Sequence, residues 1–331
     1  MSDRPVILVT GGAGYIGAHA CRALDAAGYH VVVFDNLSTG HRHFVRAPLV
    51  IGDLLDGAAL RRVFARHDIA AVMHFAAASL VGESMADPQK YYVNNVNGTL
   101  SLLGAMREAG CHRLVFSSTG AVYGHADSKA LPESHPCAPI NTYGATKWMI
   151  ERILADYRTA YGLGAFCLRY FNASGADETD DIGELRDNET HLIPRAMMAM
   201  QGYIRDFAVF GTDYDTPDGT AIRDYVHVTD LAMAHVAALE LLMQGHEGGA
   251  FNLGTGTGFS VREILAAIEA ETGRQVPHVI MPRRAGDPAY LVADPTAARV
   301  VLQFSPRHSD LATIIRTAWA WHQRAHPLKT A

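Results

Sequence analysis

The segment Thr10-Gly-Gly-Ala-Gly-Tyr-Ile-Gly17 joins a short apolar run to a helical pattern. The run Val6 to Thr10 predicts a buried strand, and the apolar spacing from Gly14 to Ala27 predicts a helix. Glycines between a strand and a helix let a diphosphate approach bare backbone amides at the helix N-terminus. Plain turns also use glycines, so the motif predicts a dinucleotide site only together with its surroundings.

The same alternation of strand and helix continues through the first half of the chain. Further β-branched runs predict strands, and apolar residues at helical spacing between them predict crossover helices. Such alternation is typical of an α/β fold, a Rossmann-type doubly wound parallel sheet with helices on both faces. The predicted strands are His30 to Phe34, Leu49 to Gly52, Ala70 to Phe75, Arg113 to Ser117 and Ala165 to Tyr170, and the predicted helices are Gly57 to Arg66, Val96 to Ala109 and Tyr143 to Tyr161.

The pattern changes after Asn172, where a loop rich in Asp, Glu and Gly precedes a helix near Leu192 to Gln201. The later segment Val226 to Gln244 predicts a return of the chain to the sheet. We therefore expect a dinucleotide-binding domain and a smaller C-terminal α/β substrate lobe. The first unit comprises residues 1–171 with 222–252, and the second comprises residues 172–221 with 253–331.

Composition limits the possible partners. The 331 residues are 49% hydrophobic and 19% charged, with a formal net charge of -6, so no basic field exists to attract nucleic acid or an anionic membrane surface. No apolar run approaches the ~20 residues needed to span a bilayer, and residues 1–5 lack the layout of a signal peptide. The four widely spaced cysteines predict free thiols. We therefore expect a cytoplasmic protein without nucleic-acid or membrane partners.

Seventeen histidines raise the question of a metal site. None of them forms an HExxH motif, and His41-x-His43 lies in a polar loop where a solvated or structural role is expected. The sequence therefore predicts no metal ligand set.

Two aspartates follow predicted strands at positions suited to an adenosine group. Asp35 follows the second strand, where a carboxylate accepts hydrogen bonds from ribose hydroxyls and repels a 2'-phosphate. We therefore expect NAD rather than NADP. Asp53 follows the strand Leu49 to Gly52, and two functions are open to it: an acceptor for the adenine amine, or a turn or helix cap within Asp53-Leu-Leu-Asp56.

Tyr143 and Lys147 form a Tyr-x-x-x-Lys pair at the start of a strongly periodic predicted helix. The spacing of four places both side chains on one helix face. There the lysine and nicotinamide charges would favour the phenolate of a tyrosine whose ordinary pKa is near ~10. The phenolate could take a proton from a sugar hydroxyl while hydride leaves the same carbon. An isolated pair of this kind is common on exposed helices, but the hydroxyl groups of Ser117-Ser-Thr119 at a nearby strand end favour the catalytic interpretation.

Two sets of motifs resemble known families. One set resembles extended short-chain dehydrogenase/reductases and comprises Thr10 to Gly17, Asp35-Asn-Leu37, Gly52-Asp53, His74-Phe-Ala-Ala77, Ser117-Ser-Thr119, Tyr143-x-x-x-Lys147 and Arg169-Tyr-Phe-Asn172. The other set is similar to UDP-galactose 4-epimerases, extends the likeness over nearly the entire chain, and comprises Val81-Gly-Glu-Ser84, Tyr91 to Thr99, Phe210 to Tyr214, Asp218-Gly-Thr220, Arg223 to Val228, Asn252-Leu-Gly254 and Arg283 to Asp287.

The resemblance implies C4 epimerisation of a UDP-hexose, UDP-glucose or UDP-galactose. In that reaction hydride leaves C4, the 4-keto intermediate swings about its diphosphate linkage, and hydride returns to the opposite face while NAD is regenerated. Tyr143 is then the implied base, Lys147 tunes it and holds the nicotinamide ribose, and Thr119 hydrogen-bonds the oxygen at the reacting carbon. A homodimer joined through the helices with residues 97–109 and 149–161 is also implied.

The same resemblance implies two sets of binding residues. The NAD contacts are Gly11, Gly14, Tyr15, Ile16, Gly17, Asp35, Asn36, Leu37, Thr39, Asp53, Leu54, Phe75, Ala76, Ala77, Asn94, Ser117, Tyr143, Lys147 and Tyr170. The UDP-sugar contacts are Thr119, Tyr143, Phe171, Asn172, His191, Leu192, Ala208, Val209, Phe210, Arg223, Tyr225, Arg284 and Asp287. Arg223 and Arg284 suit a diphosphate because a guanidinium can donate two parallel hydrogen bonds to its oxygens. The structural alternative is that each forms a surface salt bridge.

Three positions depart from the pattern of this family, and a fourth bears on the choice of sugar. Thr119 stands where serine is frequent and keeps the hydroxyl, with a methyl group added. Ser79 stands where many members have a lysine near the cofactor phosphates, which predicts looser NAD binding. His191 replaces the commoner asparagine at a substrate contact. Leu291 occupies the position associated with admitting or excluding N-acetyl sugars, so UDP-GlcNAc stays open as a substrate.

Three alternatives compete with this interpretation. A UDP-pentose 4-epimerase acting on UDP-xylose and UDP-arabinose would use the same residues. A sugar-nucleotide 4,6-dehydratase usually carries an acidic pair after the serine or threonine, whereas Gly120-Ala121 follow Thr119 here. A non-catalytic NAD-binding regulator would not need both Tyr143 and Lys147.

Overall fold

The computed structural model describes residues 4–124, 130–179, 181–284 and 287–326. Strands and helices alternate through its first half, as the sequence predicts. In chain order the elements are β1 (Val6–Thr10), α1 (Tyr15–Ala26), β2 (His30–Asp35), β3 (Leu49–Ile51), α2 (Gly57–Arg66), β4 (Ile69–His74), α3 (Val81–Ala86), α4 (Pro88–Tyr91), α5 (Gly98–Glu108), β5 (Arg113–Thr119), α6 (Thr142–Tyr161), β6 (Gly164–Tyr170), β7 (Asn172–Ser174), α7 (Leu192–Met200), β8 (Ala208–Phe210), β9 (Ile222–Arg223), β10 (Tyr225–His227), α8 (Val228–Met243), β11 (Gly248–Leu253), β12 (Phe259–Ser260), α9 (Val261–Thr272), β13 (Val279–Met281), β14 (Tyr290–Leu291), α10 (Thr296–Val301) and α11 (Leu311–Ala325).

Seven strands form one parallel sheet in the order β11-β6-β5-β4-β1-β2-β3. Successive residues of β1 point to opposite faces, so Ile7 and Val9 pack under α1 and α8 while Leu8 packs under α2, α5 and α6. Both faces are thereby covered by helices. The predicted doubly wound α/β fold is confirmed.

The chain returns to the sheet late in the sequence. Helix α8 packs on α1, and β11 adds to the edge of the sheet beside β6, with Gly248 opposite Ala165 and Leu253 opposite Tyr170. The predicted return of Val226 to Gln244 is therefore present as β10 and α8, and β11 completes it.

Two boundaries near the site differ from the sequence prediction. Strand β5 continues past Ser117 to Thr119, because Thr119 still pairs with Tyr170 of β6. The helix predicted around Val96 to Ala109 begins as an α-helix only at Gly98, after a π-helical segment Tyr92–Asn97. Pairing with a neighbouring strand and a wider helical turn are not encoded in apolar periodicity.

The second lobe has its own core, in which α7, α9 and α11 pack together with β8. Two small sheets, β12-β9-β14 and β13-β8, border this core. Helix α9 begins with a capping box, in which the Ser260 hydroxyl accepts from the Glu263 amide at 3.0 Å and Glu263 Oε2 accepts from the Ser260 amide at 2.7 Å. In the part of the chain that the structure describes, no helix has the length and apolarity required to cross a membrane.

Candidate active site

The glycine turn between β1 and α1 presents bare backbone at the carboxyl end of the sheet. Gly11 has a left-handed backbone, with φ of +75°, and a Cβ there would meet the Ala76 backbone nitrogen at 2.5 Å. A Cβ at Gly17 would overlap the Gly11 carbonyl oxygen. Gly14 is the N-cap of α1 and offers no side-chain acceptor to the first helix amides. The turn therefore suits a diphosphate bound to backbone donors.

Asp35 ends β2 beside this turn. One carboxylate oxygen accepts from the Ala13 amide at 3.0 Å, and the other accepts from the Leu37 amide at 2.8 Å. Leu37 has a left-handed backbone with φ of 58°, which is uncommon for a residue with a side chain. The carboxylate is thus oriented by the backbone on both sides and lies next to the glycines, as the predicted ribose contact requires.

Asp53 holds the turn that follows β3. Its Oδ1 accepts from the Leu55 amide at 2.9 Å, and its Oδ2 accepts from the side-chain amide of Asn36 at 2.9 Å. Asp56, and not Asp53, caps α2 by accepting from two amides at 3.0 Å. Of the two functions open to Asp53, the turn is present in the structure, and the adenine contact stays a prediction.

The loop after β4, residues 75–79, is held by Asn95, which sequence analysis did not select. Asn95 Oδ1 accepts from the Ala78 amide at 2.8 Å, and its Nδ2 donates to the Ala78 carbonyl at 3.0 Å and to the Thr146 hydroxyl of α6 at 3.1 Å. The predicted NAD contact Asn94 also donates to Asn95 Oδ1, at 2.9 Å. Asn95 is buried. The adjacent asparagines Asn94 and Asn95 in the motif Tyr91 to Thr99 were the sequence signal that could have identified it.

Tyr143, Lys147 and Thr119 meet where α6 begins against the end of β5. The Lys147 ammonium donates to the Ser117 carbonyl oxygen at 2.8 Å and lies 6.0 Å from the centre of the Tyr143 ring. The Thr119 hydroxyl is close enough to the Tyr143 phenol to lower its pKa. The Asn141 side chain caps the helix by accepting from the Gly144 amide at 2.8 Å. The structure therefore brings the three predicted catalytic side chains together.

Burial changes the acid–base properties of this group. Burial raises the pKa of the Tyr143 phenol above its ordinary value, while the hydrogen bond from Thr119 and the charge of Arg186 lower it. Burial also lowers the pKa of Lys147 to about 7, against the opposing charge of Glu151. The sequence predicts that the Lys147 charge favours the phenolate. In the structure, Thr119 and Arg186 are the groups that act on the phenol in this direction.

Two predicted NAD contacts, Ser117 and Tyr170, hydrogen-bond each other through their hydroxyl groups, because β5 and β6 are neighbours. Burial raises the pKa of Tyr170. Phe75 packs against the ring of His235, with 4.8 Å between the ring centres. These residues lie at the carboxyl end of the sheet together with Thr119.

A buried ion pair supports the base of α6 and was missing from the predicted site. Arg169 Nε donates to both carboxylate oxygens of Glu151, at 3.0 and 3.2 Å, and both side chains are 4% exposed. The Ser118 hydroxyl also donates to Glu151. Arg169 Nη1 reaches the Tyr123 hydroxyl at 2.9 Å. The spacing of four between Lys147 and Glu151 on one predicted helix was the available signal.

The predicted UDP-sugar contacts of β7, β9 and β10 lie side by side. Asn172 pairs with Tyr225, and its side-chain amide donates to the Asp224 carbonyl at 3.0 Å. Arg223 donates to Asp287 Oδ1 at 2.5 Å, and the two side chains are 13% and 32% exposed. Arg223 therefore has an ion-pair partner within the chain, and its contact with a diphosphate stays a prediction.

Strand β8 alternates between the core and the site. Val209 is buried in the second-lobe core, so Ala208 and Phe210 point to the other face. The Arg284 guanidinium lies 3.9 Å from the centre of the Phe210 ring, a cation–π contact. Val209 can contact a ligand only through its backbone. In the predicted motif Arg283 to Asp287, Ala285 and Gly286 lie outside the described residues.

Two further predicted contacts also have side chains in hydrophobic cores. Leu54 is buried against α2 and α5, where a Cβ on Gly98 would meet it at 3.1 Å. Leu192 begins α7 and packs against the core of the second lobe. Contacts from these residues would involve mainly their backbone.

His191 belongs to a charged cluster in the second lobe. Its Nδ1 lies 2.7 Å from Glu184 Oε1, and Arg186 Nε donates to the same oxygen at 3.0 Å. Within the described ranges, Glu184, Glu189 and His191 form the single group of three possible metal ligands with atoms within 4.8 Å of one another. Since a guanidinium and an imidazole already bind Glu184, we interpret this cluster as an ion-pair network.

His41 in the predicted polar loop also has a structural contact. Its Nε2 lies 3.0 Å from the Leu185 carbonyl oxygen, and its ring packs edge-on against Phe44 with 5.2 Å between centres. These contacts fit the structural role expected from the sequence.

Comparisons with known proteins agree with this geometry. The model of the NAD dependent epimerase/dehydratase family matches residues 7–254. A UDP-glucose 4-epimerase of Rhizobium leguminosarum bv. trifolii is 52% identical over 321 residues, which cover 97% of this chain and 98% of that protein. Two solved structures each superimpose with a TM-score of 0.94. They are a UDP-glucose 4-epimerase from Brucella ovis in complex with NAD (53% identity; 95% of this chain and 97% of that one) and a UDP-glucose-4-epimerase from Stenotrophomonas maltophila with bound NAD and formylated UDP-arabinopyranose (41% identity; 97% and 98%).

Proposed function

Since the chain belongs to the NAD dependent epimerase/dehydratase family, we propose that it interconverts UDP-glucose and UDP-galactose by reversible C4 epimerisation. The observation that carries the proposal is the meeting of three side chains: Thr119 lies close enough to the Tyr143 phenol to lower its pKa, and the Lys147 ammonium lies 6.0 Å from the centre of the Tyr143 ring. Three curated relatives that match nearly the full length of the chain are UDP-glucose 4-epimerases.

NAD is the cofactor that the site fits. Gly11 has a left-handed backbone and packs directly on the Ala76 backbone. Gly14, the N-cap of α1, leaves the first helix amides without a side-chain acceptor, which suits a diphosphate. The oriented Asp35 carboxylate suits ribose hydroxyls and opposes a 2'-phosphate. NAD, when bound, supplies the acceptor and then the donor of hydride. Ser117, Tyr170 and Lys147 are the proposed contacts at the nicotinamide end.

The residues of the chain would handle the proton and the sugar oxygen. The Tyr143 phenolate takes the proton from the C4 hydroxyl and returns it after the 4-keto sugar has rotated about its diphosphate linkage. Thr119 hydrogen-bonds the C4 oxygen and the phenol, which aligns the two. Lys147, fixed on the Ser117 carbonyl oxygen, keeps a donor beside the base. Arg223 and Arg284 bind the diphosphate while the sugar turns.

A substrate panel tests the proposed reaction. Purified protein is incubated separately with UDP-galactose, UDP-GalNAc and UDP-arabinose, without an added reductant, and the C4 epimer of each is followed. We expect UDP-galactose to be converted fastest. Absence of conversion of all three substrates would contradict the proposal, and a marked preference for UDP-arabinose would favour a UDP-pentose 4-epimerase.

Two features of the structure bear on the alternatives. A Cβ on Gly120 would lie 2.7 Å from the Phe171 ring, so the acidic side chain typical of a 4,6-dehydratase does not fit at that position. Leu291 packs against the cluster of Val122, Tyr123 and Leu131, close to the chain segment that follows Thr119. Because the Leu291 side chain is of modest size, it does not by itself exclude an N-acetyl group. The incubation with UDP-GalNAc tests whether N-acetyl sugars are accepted.

The remaining expectations form part of the same proposal. Residues 1–171 with 222–252 would bind NAD, and residues 172–221 with 253–331 would bind the UDP-sugar. A homodimer joined through α5 and α6 is supported by exposed apolar side chains on those helices, Leu100 (39% exposed), Met149 (43%) and Tyr161 (46%). A cytoplasmic location is supported by the four free thiols.

A further inference from the structure

Arg186 is absent from the residues predicted from sequence, yet it joins the two lobes at the site. Its Nε donates to Glu184 Oε1 at 3.0 Å, and its Nη1 donates to the Ser79 hydroxyl at 3.4 Å. The side chain of Glu184 is 7% exposed, and that of Arg186 is 25% exposed. One edge of the guanidinium is therefore held by a buried carboxylate, while the other edge faces a neutral hydroxyl.

Ser79 lies in the loop that packs against the glycine turn. The amides of Phe75 and Ala76 both donate to the Thr10 carbonyl oxygen, at 2.9 and 3.1 Å. Gly11 approaches Ala76 so closely that it has no room for a Cβ. The guanidinium that reaches Ser79 therefore lies beside the loop that packs on the glycine turn, and it comes from a segment distant in sequence.

The charge of Arg186 acts on two tyrosines that flank this site. It lowers the pKa of Tyr15, the first residue of α1, and that of Tyr143, in each case against a larger increase caused by burial. The Tyr15 hydroxyl donates to the Gly175 carbonyl oxygen at 2.6 Å. Since Coulomb interactions weaken with distance, the guanidinium is near both the start of α1 and the proposed base.

The Glu184 carboxylate is shared, because it binds His191 as well as Arg186. Although burial opposes it, the charges of His191 and Arg186 lower the pKa of Glu184 to about 2. The same carboxylate raises the pKa of His191. Burial and the charge of Glu184 raise the pKa of the neighbouring Glu189. Glu184 and Glu189 both act on Arg186, but the hydrogen bond from a carboxylate holds only one edge of the guanidinium, and the other edge faces the neutral Ser79 hydroxyl and is available to an anion.

We propose that Arg186 binds the diphosphate of the dinucleotide cofactor from the side of the second lobe, with Glu184 holding the guanidinium in place, an inference that rests on the proposed function. The contact with Ser79 at 3.4 Å is long for a hydrogen bond and can be exchanged for a phosphate oxygen. Guanidinium–phosphate pairs are charge-assisted and often bidentate. The positive charge that position 79 lacks would then come from a residue distant in sequence, and the looser NAD binding expected from Ser79 would be offset.

The test measures ligand binding by the full chain after bound nucleotide has been removed. Calorimetry with NAD, ADP-ribose, adenosine and UDP compares the wild type with Arg186→Gln, Arg186→Lys and the matched control Arg316→Gln. Arg316 lies in the second lobe, is 52% exposed and pairs with Glu178 at 3.4 Å. For Arg186→Gln we expect Kd to rise about tenfold to a hundredfold for NAD and ADP-ribose, as for the loss of a charge-assisted hydrogen bond.

The other arms make the outcome specific. Adenosine and UDP should bind Arg186→Gln as they bind the wild type, Arg186→Lys should recover part of the NAD affinity, and Arg316→Gln should leave every Kd unchanged. Unchanged NAD affinity in Arg186→Gln overturns the inference. So does an equal loss for adenosine, which would indicate a structural defect, or a loss confined to UDP, which would assign Arg186 to the substrate diphosphate. Binding is measured without turnover, so an NAD-binding wild type that epimerises nothing would remove the proposed function and leave the assignment of Arg186 standing.

Discussion

The ammonium group of Lys147 donates a hydrogen bond to the Ser117 carbonyl oxygen at 2.8 Å, which fixes the first turns of α6 against the end of β5. The same ammonium lies 4.7 Å from the centre of the Phe116 ring. Because Thr119 ends β5 and Tyr143 lies in the first turn of α6, this contact brings the hydroxyl close enough to the phenol to lower its pKa. The proposed proton transfer depends on that alignment.

Tyr143→Phe removes the phenolic oxygen and keeps the ring. We expect kcat to fall about 10²-fold to 10⁴-fold, the usual contribution of a general base, while NAD stays bound because most of its proposed contacts, including the glycine turn and Asp35, are unchanged. The measurement is the rate of UDP-galactose conversion together with the NAD content of the purified variant. Tyr161→Phe, at the exposed end of the same helix, is the matched control. A Tyr143→Phe variant with wild-type turnover would exclude this phenol as the base.

The buried ion pair of Glu151 and Arg169 leads to a prediction about the free energy of unfolding. Glu151→Met leaves the Arg169 guanidinium buried without its carboxylate, and we expect the free energy of unfolding to fall by about 3–5 kcal/mol. The double variant Glu151→Met/Arg169→Met should be more stable than the single variant, since no buried charge is left unpaired. Urea unfolding of the three proteins measures both effects. If the single and double variants were equally destabilised, the cost would come from packing and not from the isolated charge.

Stability should fall in acid because several histidines are buried in their neutral form. Burial lowers the pKa of His19, His227, His235 and His322 to about 4, whereas an unfolded histidine has a pKa of about 6.5. Between these two values the unfolded chain binds more protons than the folded chain, so stability is lost as pH falls below about 6.5. At pH 5.5 each such histidine costs about 1.4 kcal/mol relative to neutral pH.

A His322→Phe variant isolates one of these contributions. Among the described residues neither ring nitrogen of His322 has a hydrogen-bond partner, so the substitution removes a titrating group without breaking a hydrogen bond of the ring. We expect the difference in Tm between pH 7.5 and pH 5.5 to be smaller than in the wild type. An identical difference would mean that His322 takes up its proton in the folded state.

The proposed dimer predicts that a charge on α5 or α6 changes the oligomeric state. Leu100→Glu and Met149→Glu each place a carboxylate on an exposed apolar position of those helices, and burying an unpaired charge in an interface is unfavourable. We expect light scattering to give the mass of a dimer for the wild type and that of a monomer for both variants. Met233→Glu, at a 51% exposed position of α8, should remain a dimer. Unchanged mass in all three variants would place the interface elsewhere.

Local sequence was sufficient for strands β1 to β6 of the sheet, the glycine turn and the pairing of Tyr143 with Lys147, but it did not predict the edge strand β11. Each depends on residues close together in the chain, where strand and helix periodicity and the conformational freedom of glycine act directly. Asp35 could be placed in the same way because it ends a predicted strand. The boundaries of β5 and α5 could not, since they depend on a neighbouring strand and on a π-helical turn.

Packing specified the contacts between segments that are distant in sequence. Arg186 reaches Ser79, Arg169 pairs with Glu151, and Val209 faces the core instead of the site, none of which follows from local spacing. A charge that lowers the pKa of the Tyr143 phenol comes from Arg186, a residue distant in sequence. The reason is physical: side-chain electrostatics depend on distance and burial in three dimensions, which are defined only when segments distant in sequence have packed together.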